Sequence, residues 1–391
     1  MIENAGKRYR EQGCRDVFIV CYGMTQADFQ PKASTRPILH EPGIKSVHPA
    51  YPYRHTLVRI MYIMLNRVSK EPTILCHYTG QDDPMKEIQA GVLKVAYKDI
   101  GPADGPVAVL LHGFPYDVLA YDEVAGLLVA AGCRCIIPCL RGYGGTRFIA
   151  TDTPRSGEQA ALGADLLALL DALKISKAVL AGYDWGGRAA CVVAALWSER
   201  AIGLVSCEPG YNIQDIAAAG NPVAPETEHR LWYQYYLHGT RGHAGLEANR
   251  EAFCKLLWKQ WSPTWDFTDQ AFSASAQSFY NPDFVAVVTH SYRHRFGLVD
   301  GDPQYVSIEQ RLAQQPDISV PTVILSGSCD EVAPPQDELQ AMRRFKGPVR
   351  RSILDGVGHN VPQEAPVDFA RAVLSHLQPA ESLERHDQST L

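Results

Sequence analysis

The 391-residue chain has no run approaching the roughly 18 apolar residues of a membrane span. Its opening residues, MIENAGKRYREQGCRD, hold no apolar signal core. Both absences make a cytoplasmic location the default expectation. Positive charge is not in excess. Lys and Arg total 37 against 43 Asp and Glu, a net charge of -6, so the sequence shows no basic patch of the kind a nucleic-acid binder carries. Ten cysteines occur without a single C-x-x-C pair, which weakens zinc and redox readings. Most, including Cys133, Cys135, Cys139, Cys191, Cys207 and Cys329, lie in apolar runs and read as buried thiols rather than a disulfide framework. Internal repeats are absent. What is abundant is apolar residues, 46% of the chain, enough for a sizeable core in one large or two ordinary domains.

Residues 1 to 72 mix Pro, His, Tyr and Arg. They read as an N-terminal extension of unknown structure, poorly ordered or following a start codon placed too early. Within it LVRIMYIML (Leu57 to Leu65) reads as a surface helix or an amphipathic contact. From Ile74 the pattern changes. GVLKVAYKDIG alternates like a half-buried strand, and VAVLL, CRCIIP, AVLAG and AIGLVSC are short apolar runs of buried-strand type. DEVAGLLVAAG and SGEQAALGADLLALLDALKI read as helices between them, with Ser156 the expected N-cap of the second. Buried strands alternating with helices predict an α/β fold, a mostly parallel central sheet flanked by helices. Residues 211 to 311 break this rhythm with dense aromatics at helical spacings and read as an inserted helical cap. The sheet pattern resumes through SVPTVILSGSCDEVAPP and PVRRSILDGVGHNVP to a last helix, DFARAVLSHL, so the core spans 73–210 and 312–378. Residues 379–391 are polar and read as a disordered tail.

The richest segment is AVLAGYDWGGRAACVVAALW, a buried strand, a sharp turn and a small-residue helix. Gly182 and Gly186 bracket Asp184 with the spacing of a G-x-S-x-G nucleophile elbow, the apex serine replaced by aspartate. A carboxylate is already ionised. It attacks carbon by displacement and leaves an ester that must then be hydrolysed. The chemistry implied is opening of a strained or activated C–O or C–halogen bond. Asp330 and His359 each follow a buried strand, and in a parallel sheet such loops converge on one edge. His359 can deprotonate a water, and Asp330 can hold its tautomer and stabilise the imidazolium.

From about residue 90 to 378 the chain resembles the α/β-hydrolase superfamily, in its epoxide hydrolase and dehalogenase branch. HGFP (His112 to Pro115) resembles the H-G-x-P motif, RGYGGT (Arg141 to Thr146) the R-G-x-G-x-S segment, and GYDWGG the aspartate-nucleophile motif. The order nucleophile, acid, histidine is also that of the superfamily. The resemblance implies Asp184, Asp330 and His359 as the triad, and an oxyanion hole from the backbone N–H groups of Phe114 and Trp185. It implies two cap tyrosines that polarise the epoxide oxygen. Tyr236 matches the first, with Tyr235 and Tyr233 as fallbacks, and Tyr292, in HSYRHRFG, the second. Tyr183 departs from the family, which often has His there.

These residues imply hydrolysis of an apolar epoxide to a vicinal diol through an aspartyl ester, with no metal or organic cofactor and a small molecule as the partner. Dehalogenation with the same triad is the alternative. Phe114 stands where haloalkane dehalogenases often have Asn, and Trp185 where fluoroacetate dehalogenases often have Arg. Trp232 and Trp258 keep halide donors available. A non-catalytic ligand-binding protein on the same scaffold is the third reading. His112 reads as a structural hydrogen-bonder, Arg141 and Arg188 as framework ion pairs, and Arg293, His294 and Arg295 as a solvated basic face. The indole of Trp185 reads as a pocket wall or a halide contact. Substrate identity, stereochemical preference and oligomeric state are left open by these motifs.

Overall fold

The computed structural model describes residues 84–377 in full, together with the backbone of three earlier strands. The chain divides into two compact units, Met1–Tyr78 and Thr79–Leu391. In the first, β1 (Val17–Tyr22), β2 (Arg59–Leu65) and β3 (Pro72–Cys76) form an antiparallel sheet in the order β1-β2-β3. The segment expected as a surface helix or an amphipathic contact holds the central strand here, in keeping with the β-forming Ile60, Tyr62 and Ile63 within it. The expected tail at 379–391 lies outside the described residues.

The second unit is built on a nine-stranded sheet. It opens with the antiparallel hairpin of β4 (Lys86–Ala90) and β5 (Leu93–Ile100), followed by β6 (Val107–Leu111), β7 (Arg134–Pro138) and the short β8 (Arg147–Phe148). Then come β9 (Ala178–Gly182), β10 (Ala201–Cys207), β11 (Thr322–Gly327) and β12 (Val349–Leu354). The strand order is β12-β11-β10-β9-β6-β7-β5-β4, with β8 on β5, and β6, β7, β9, β10, β11 and β12 pair in parallel. Every residue of β9 and of β11 is buried, as parallel strands covered on both faces require. That burial is why these segments read as unbroken apolar runs rather than alternating ones.

The helices α1 (Asp122–Ala130), α2 (Gln159–Ala172) and α3 (Asp184–Leu196) follow strands of the sheet. Ser156 does not cap α2. It accepts from the Arg141 guanidinium instead, and the Glu309 carboxylate accepts from the Ala160 N–H at the helix start. The long excursion between β10 and β11 contains no strand of the sheet. It holds α4 (Pro225–Arg230), α5 (Trp232–Tyr236), α6 (Thr240–Trp261), α7 (Asp269–Ala276), α8 (Phe284–His294) and α9 (Val306–Leu312). Beyond β11 the chain adds α10 (Glu338–Met342), α11 (Val361–Glu364) and α12 (Pro366–Leu374). Among the described residues no helix is long and apolar enough to cross a membrane.

Candidate active site

The turn between β9 and α3 is tight enough to dictate its own sequence. Asp184 has φ +50°, a left-handed backbone that non-glycine residues rarely adopt. A side-chain carbon at Gly186 would lie 1.9 Å from the Leu111 carbonyl oxygen, and one at Gly182 would lie 2.5 Å from the Gly186 backbone. Glycine is therefore required at both positions, and the elbow is pressed against the end of β6. The same closeness places the loop after β6 against the aspartate. The Phe114 N–H donates to Asp184 Oδ1 at 2.7 Å. Trp185 lies in the first turn of α3, where backbone N–H groups have no acceptor within the helix.

Asp330 and His359 reach the site from the loops after β11 and β12. His359 Nδ1 donates to Asp330 Oδ2 at 2.7 Å. The other oxygen of Asp330 accepts from the N–H groups of Val332 and Ala333, at 3.0 and 2.8 Å. His359 Nε2 is buried without a hydrogen-bond partner and stands 3.8 Å from Asp184 Oδ2. Burial works against a charged imidazole, yet the carboxylates of Asp330 and Asp184 outweigh it and raise the His359 pKa to about 10. Burial likewise works against the Asp184 carboxylate, but His359 and the Phe114 N–H hold its pKa below the ordinary value.

The histidine loop has a support that the sequence analysis did not single out. The Ser262 hydroxyl, just past α6, accepts from the His359 N–H at 2.9 Å and donates to Glu364 Oε1 at 2.6 Å. Glu364 also accepts from the N–H groups of Gly358 and Asn360. A serine of the cap and a glutamate of α11 thus fix the backbone that carries His359. Glu364 lies five residues beyond the histidine, but nothing in the sequence connects Ser262 with it.

An aromatic wall faces the elbow. Phe114 is fully buried, with its ring centroid 5.8 Å from Trp185, 5.3 Å from Tyr292 and 6.5 Å from Tyr233. Tyr233 and Tyr292 meet at 5.3 Å, and Tyr292 is 6.0 Å from Trp185. The Tyr292 hydroxyl is buried without a hydrogen-bond partner. The Tyr233 hydroxyl accepts from Gln234 Nε2 at 3.0 Å, which leaves its own proton free to donate elsewhere. Burial raises the pKa of both phenols and keeps them protonated.

Tyr236, expected as the first oxygen donor, does not stand with Tyr292. Its ring stacks on Phe253 at 5.9 Å and lies 6.2 Å from Trp232, and its hydroxyl fills the space over Gly245. Three residues apart on α5, Tyr233 joins the wall beside the elbow and Tyr236 the aromatic layer within the cap. The Tyr235 hydroxyl donates to Glu228. In a W-Y-x-Y-Y segment the sequence alone does not say which phenol points inward.

The lesser residues also find places. His112 Nδ1 donates to the Gly113 carbonyl and Nε2 accepts from the Leu140 N–H; burial lowers its pKa to about 4, so it is a neutral brace beneath the loop. Arg141 pairs with both oxygens of Asp165. Arg188, expected as a framework ion pair, has no carboxylate in salt-bridge contact among the described residues: it donates to Gln214 Oε1 at 3.3 Å, and its buried Nε has no hydrogen-bond partner among them. Arg293 is exposed, whereas Arg295 turns inward and is 8% exposed.

Known proteins share this arrangement of the chain. Residues 108–372 match the profile of the Alpha/beta hydrolase family. The crystal structure of a candidate epoxide hydrolase from Klebsiella pneumoniae superposes with a TM-score of 0.74 at 44% identity, covering 76% of this chain and 98% of that one. Epoxide hydrolase A of Mycobacterium tuberculosis is 24% identical over 312 residues, 71% of this chain and 92% of that protein. Other curated relatives match over shorter stretches. The chain spans 29% of an epoxide hydrolase of Caballeronia sordidicola, at 38% identity, and 52% of a haloalkane dehalogenase of Psychrobacter cryohalolentis, at 29% identity. The chain belongs to the alpha/beta hydrolase family, in the branch that holds the epoxide hydrolases and haloalkane dehalogenases.

Proposed function

We propose that the protein hydrolyses an epoxide to a vicinal diol through a covalent ester on Asp184. The observation that carries this reading is the pair of phenols, Tyr233 and Tyr292, set beside the aspartate elbow with protons free to donate. Ring opening puts negative charge on oxygen, and acidic O–H groups in a site shielded from water stabilise it.

Asp184 divides its two oxygens. Oδ1 is held by the Phe114 N–H, so Oδ2 is the attacking atom. Its lone pair forms the bond to an epoxide carbon while the C–O bond breaks, and the departing oxygen takes a proton from Tyr292 or Tyr233. The ester carries no charge, so His359 then faces one carboxylate rather than two. Its proton affinity falls, and the proton it sheds returns to the phenolate. Neutral His359 takes a proton from water as the hydroxide adds to the ester carbon. Charge gathers on Oδ1, where the Phe114 N–H already stands, joined by the Trp185 N–H. Collapse expels the second diol oxygen, which takes the proton from His359. The carboxylic acid left on Asp184 gives its proton to His359 and restores the ion pair.

A screen of styrene oxide and fatty-acid epoxides with product analysis tests this, with Asp184→Asn as the blank. Diol formed by the wild type and not by the variant supports the reading; no diol from any epoxide contradicts it.

One observation favours dehalogenation as the second reading. The Trp185 indole N–H is buried without a partner beside Tyr292, and a leaving halide needs such a donor. Trp232 and Trp258 spend theirs on Gln260 and on the Pro115 carbonyl. The two phenols favour oxygen over halide, and halide-release assays on haloalkanes and haloacids separate the two.

A further inference from the structure

Arg295 closes α8 three residues beyond Tyr292, so the two side chains are neighbours on the helix. Its guanidinium carbon lies 4.4 Å from the centre of the Tyr292 ring, the shortest approach of a cation to a ring among the described residues. It also donates to the Ser291 hydroxyl at 3.3 Å. Among the described residues no carboxylate lies within salt-bridge distance of it. Arg141 and Arg155, which also lie over a ring, each have an aspartate as well.

A cation at the C-terminal end of a helix is favourable by itself. That role does not require burial. Arg293 stands in the same last turn and is exposed, whereas Arg295 is 8% exposed. A buried charge is costly unless something inside compensates it. The face of a neutral phenol does so weakly, and a phenolate does so strongly.

Ring opening makes such an anion. The negative charge starts on Asp184, beside His359 and the Phe114 N–H. Against burial, those two hold the carboxylate ionised, and Arg295 adds less than either. They stabilise the charge where it begins, and so resist its departure. Asp184 Oδ2 bonds to the epoxide carbon, the C–O bond breaks, and the electron pair goes to the epoxide oxygen. When that oxygen takes the Tyr292 proton, the charge comes to rest on the ring over which Arg295 lies. Burial, Tyr233, Asp184 and Tyr143 favour the neutral Tyr292 phenol, and Arg295 works against them. A group that gains where the charge arrives lowers the barrier.

We propose that Arg295 is a positioning residue for ring opening: lying over the Tyr292 ring, it stabilises the phenolate left when Tyr292 protonates the epoxide oxygen. It acts through Tyr292 and touches no substrate. The proposal rests on the epoxide reading above.

Two measurements test it. In the first, 3,5-difluorotyrosine, a more acidic phenol, replaces Tyr292 in the full-length protein, and its ionisation is followed by absorbance without substrate. Arg295→Met should raise the midpoint by about one pH unit or more, tenfold in proton affinity. Arg295→Lys, which keeps the charge, should raise it by less. In the second, single-turnover kinetics with styrene oxide separate ester formation from ester hydrolysis. Arg295→Met should slow ester formation by about tenfold or more and change ester hydrolysis by less than about threefold. In a Tyr292→Phe background the same substitution should change ester formation by less than about threefold, because the ring then has no proton to give. A midpoint that Arg295→Met leaves in place overturns the proposal. So does an equal loss of ester formation with and without the Tyr292 hydroxyl. A midpoint that moves, with no epoxide opened by the wild type, upholds the Arg295–Tyr292 coupling and overturns the epoxide reading instead.

Discussion

His359 Nε2 stands 3.8 Å from Asp184 Oδ2, near enough for strong attraction between charges and too far for a hydrogen bond. That distance makes the histidine answer to the charge on the nucleophile. In the proposed mechanism it rests as an imidazolium while Asp184 is ionised and becomes a base once the aspartate is consumed as an ester. On that proposal the same pair serves two opposed needs: a stabilised nucleophile at the start and an activated water afterwards.

The first expectation concerns the proton on His359. Its folded pKa of about 10 lies above the ordinary imidazole value of 6.5. The folded state holds the proton more tightly than the unfolded chain. The resulting stabilisation is complete below pH 6.5 and drains away as the pH rises toward 10. Melting temperature should therefore fall between pH 7 and 10 more steeply in the wild type than in His359→Gln. Imidazole signals followed by NMR should titrate at lower pH in Asp184→Asn, which removes one of the two charges.

The phenols are separable by substitution. Tyr292→Phe and Tyr233→Phe should each slow ring opening by about 100-fold or more, the usual scale for a positioned proton donor. Tyr236→Phe should change it by less than about threefold, because its hydroxyl lies over Gly245. Single-turnover measurement of ester formation reads this step alone. Equal losses at positions 233 and 236 would remove the basis for choosing between them.

The brace under the histidine should show itself in the second step. Ser262→Ala leaves the His359 N–H and Glu364 without their shared partner. Ester hydrolysis is expected to slow by about tenfold while ester formation changes less, so the covalent intermediate should accumulate in the steady state. An equal drop in both rates would point to a general loss of structure instead.

The elbow itself can be tested by one methyl group. Gly186→Ala must place a carbon where the Leu111 carbonyl oxygen stands, 1.9 Å away. Overpacking against backbone costs about 1–3 kcal/mol or more. Chemical denaturation should show that loss, with activity falling further because the Asp184 backbone moves with the turn.

What could be read from residues alone divides along physical lines. Parallel strands buried on both faces leave apolar runs, so β6, β7, β9, β10 and β11 were legible, and with them the loops bearing Asp184 and Asp330. The strand before His359, expected as buried, is the edge strand β12, VRRSIL, in which no residue is buried. The hairpin strand β4, mostly exposed, gives no such run. In the first unit Arg59–Leu65 is a strand where a helix or loose contact was expected, because a short apolar run is ambiguous between the two. The cap was legible as helical, but not the direction of its side chains. Whether Tyr233 or Tyr236 faces the elbow depends on how α5 is rotated against Phe114 and Phe253, a tertiary choice. Arg188 and Arg295 were misplaced for a similar reason: a sequence shows arginines, but not which lack carboxylates.

The central claim is a covalent ester on Asp184 that His359 clears. Intact-mass spectrometry of His359→Gln, after incubation with an epoxide that the wild type turns over, tests it most directly. The account predicts a stoichiometric mass increase equal to the substrate, mapped by peptide digestion to Asp184 and absent from Asp184→Asn. An unmodified His359→Gln protein, with the wild type converting the same epoxide to diol, would contradict it.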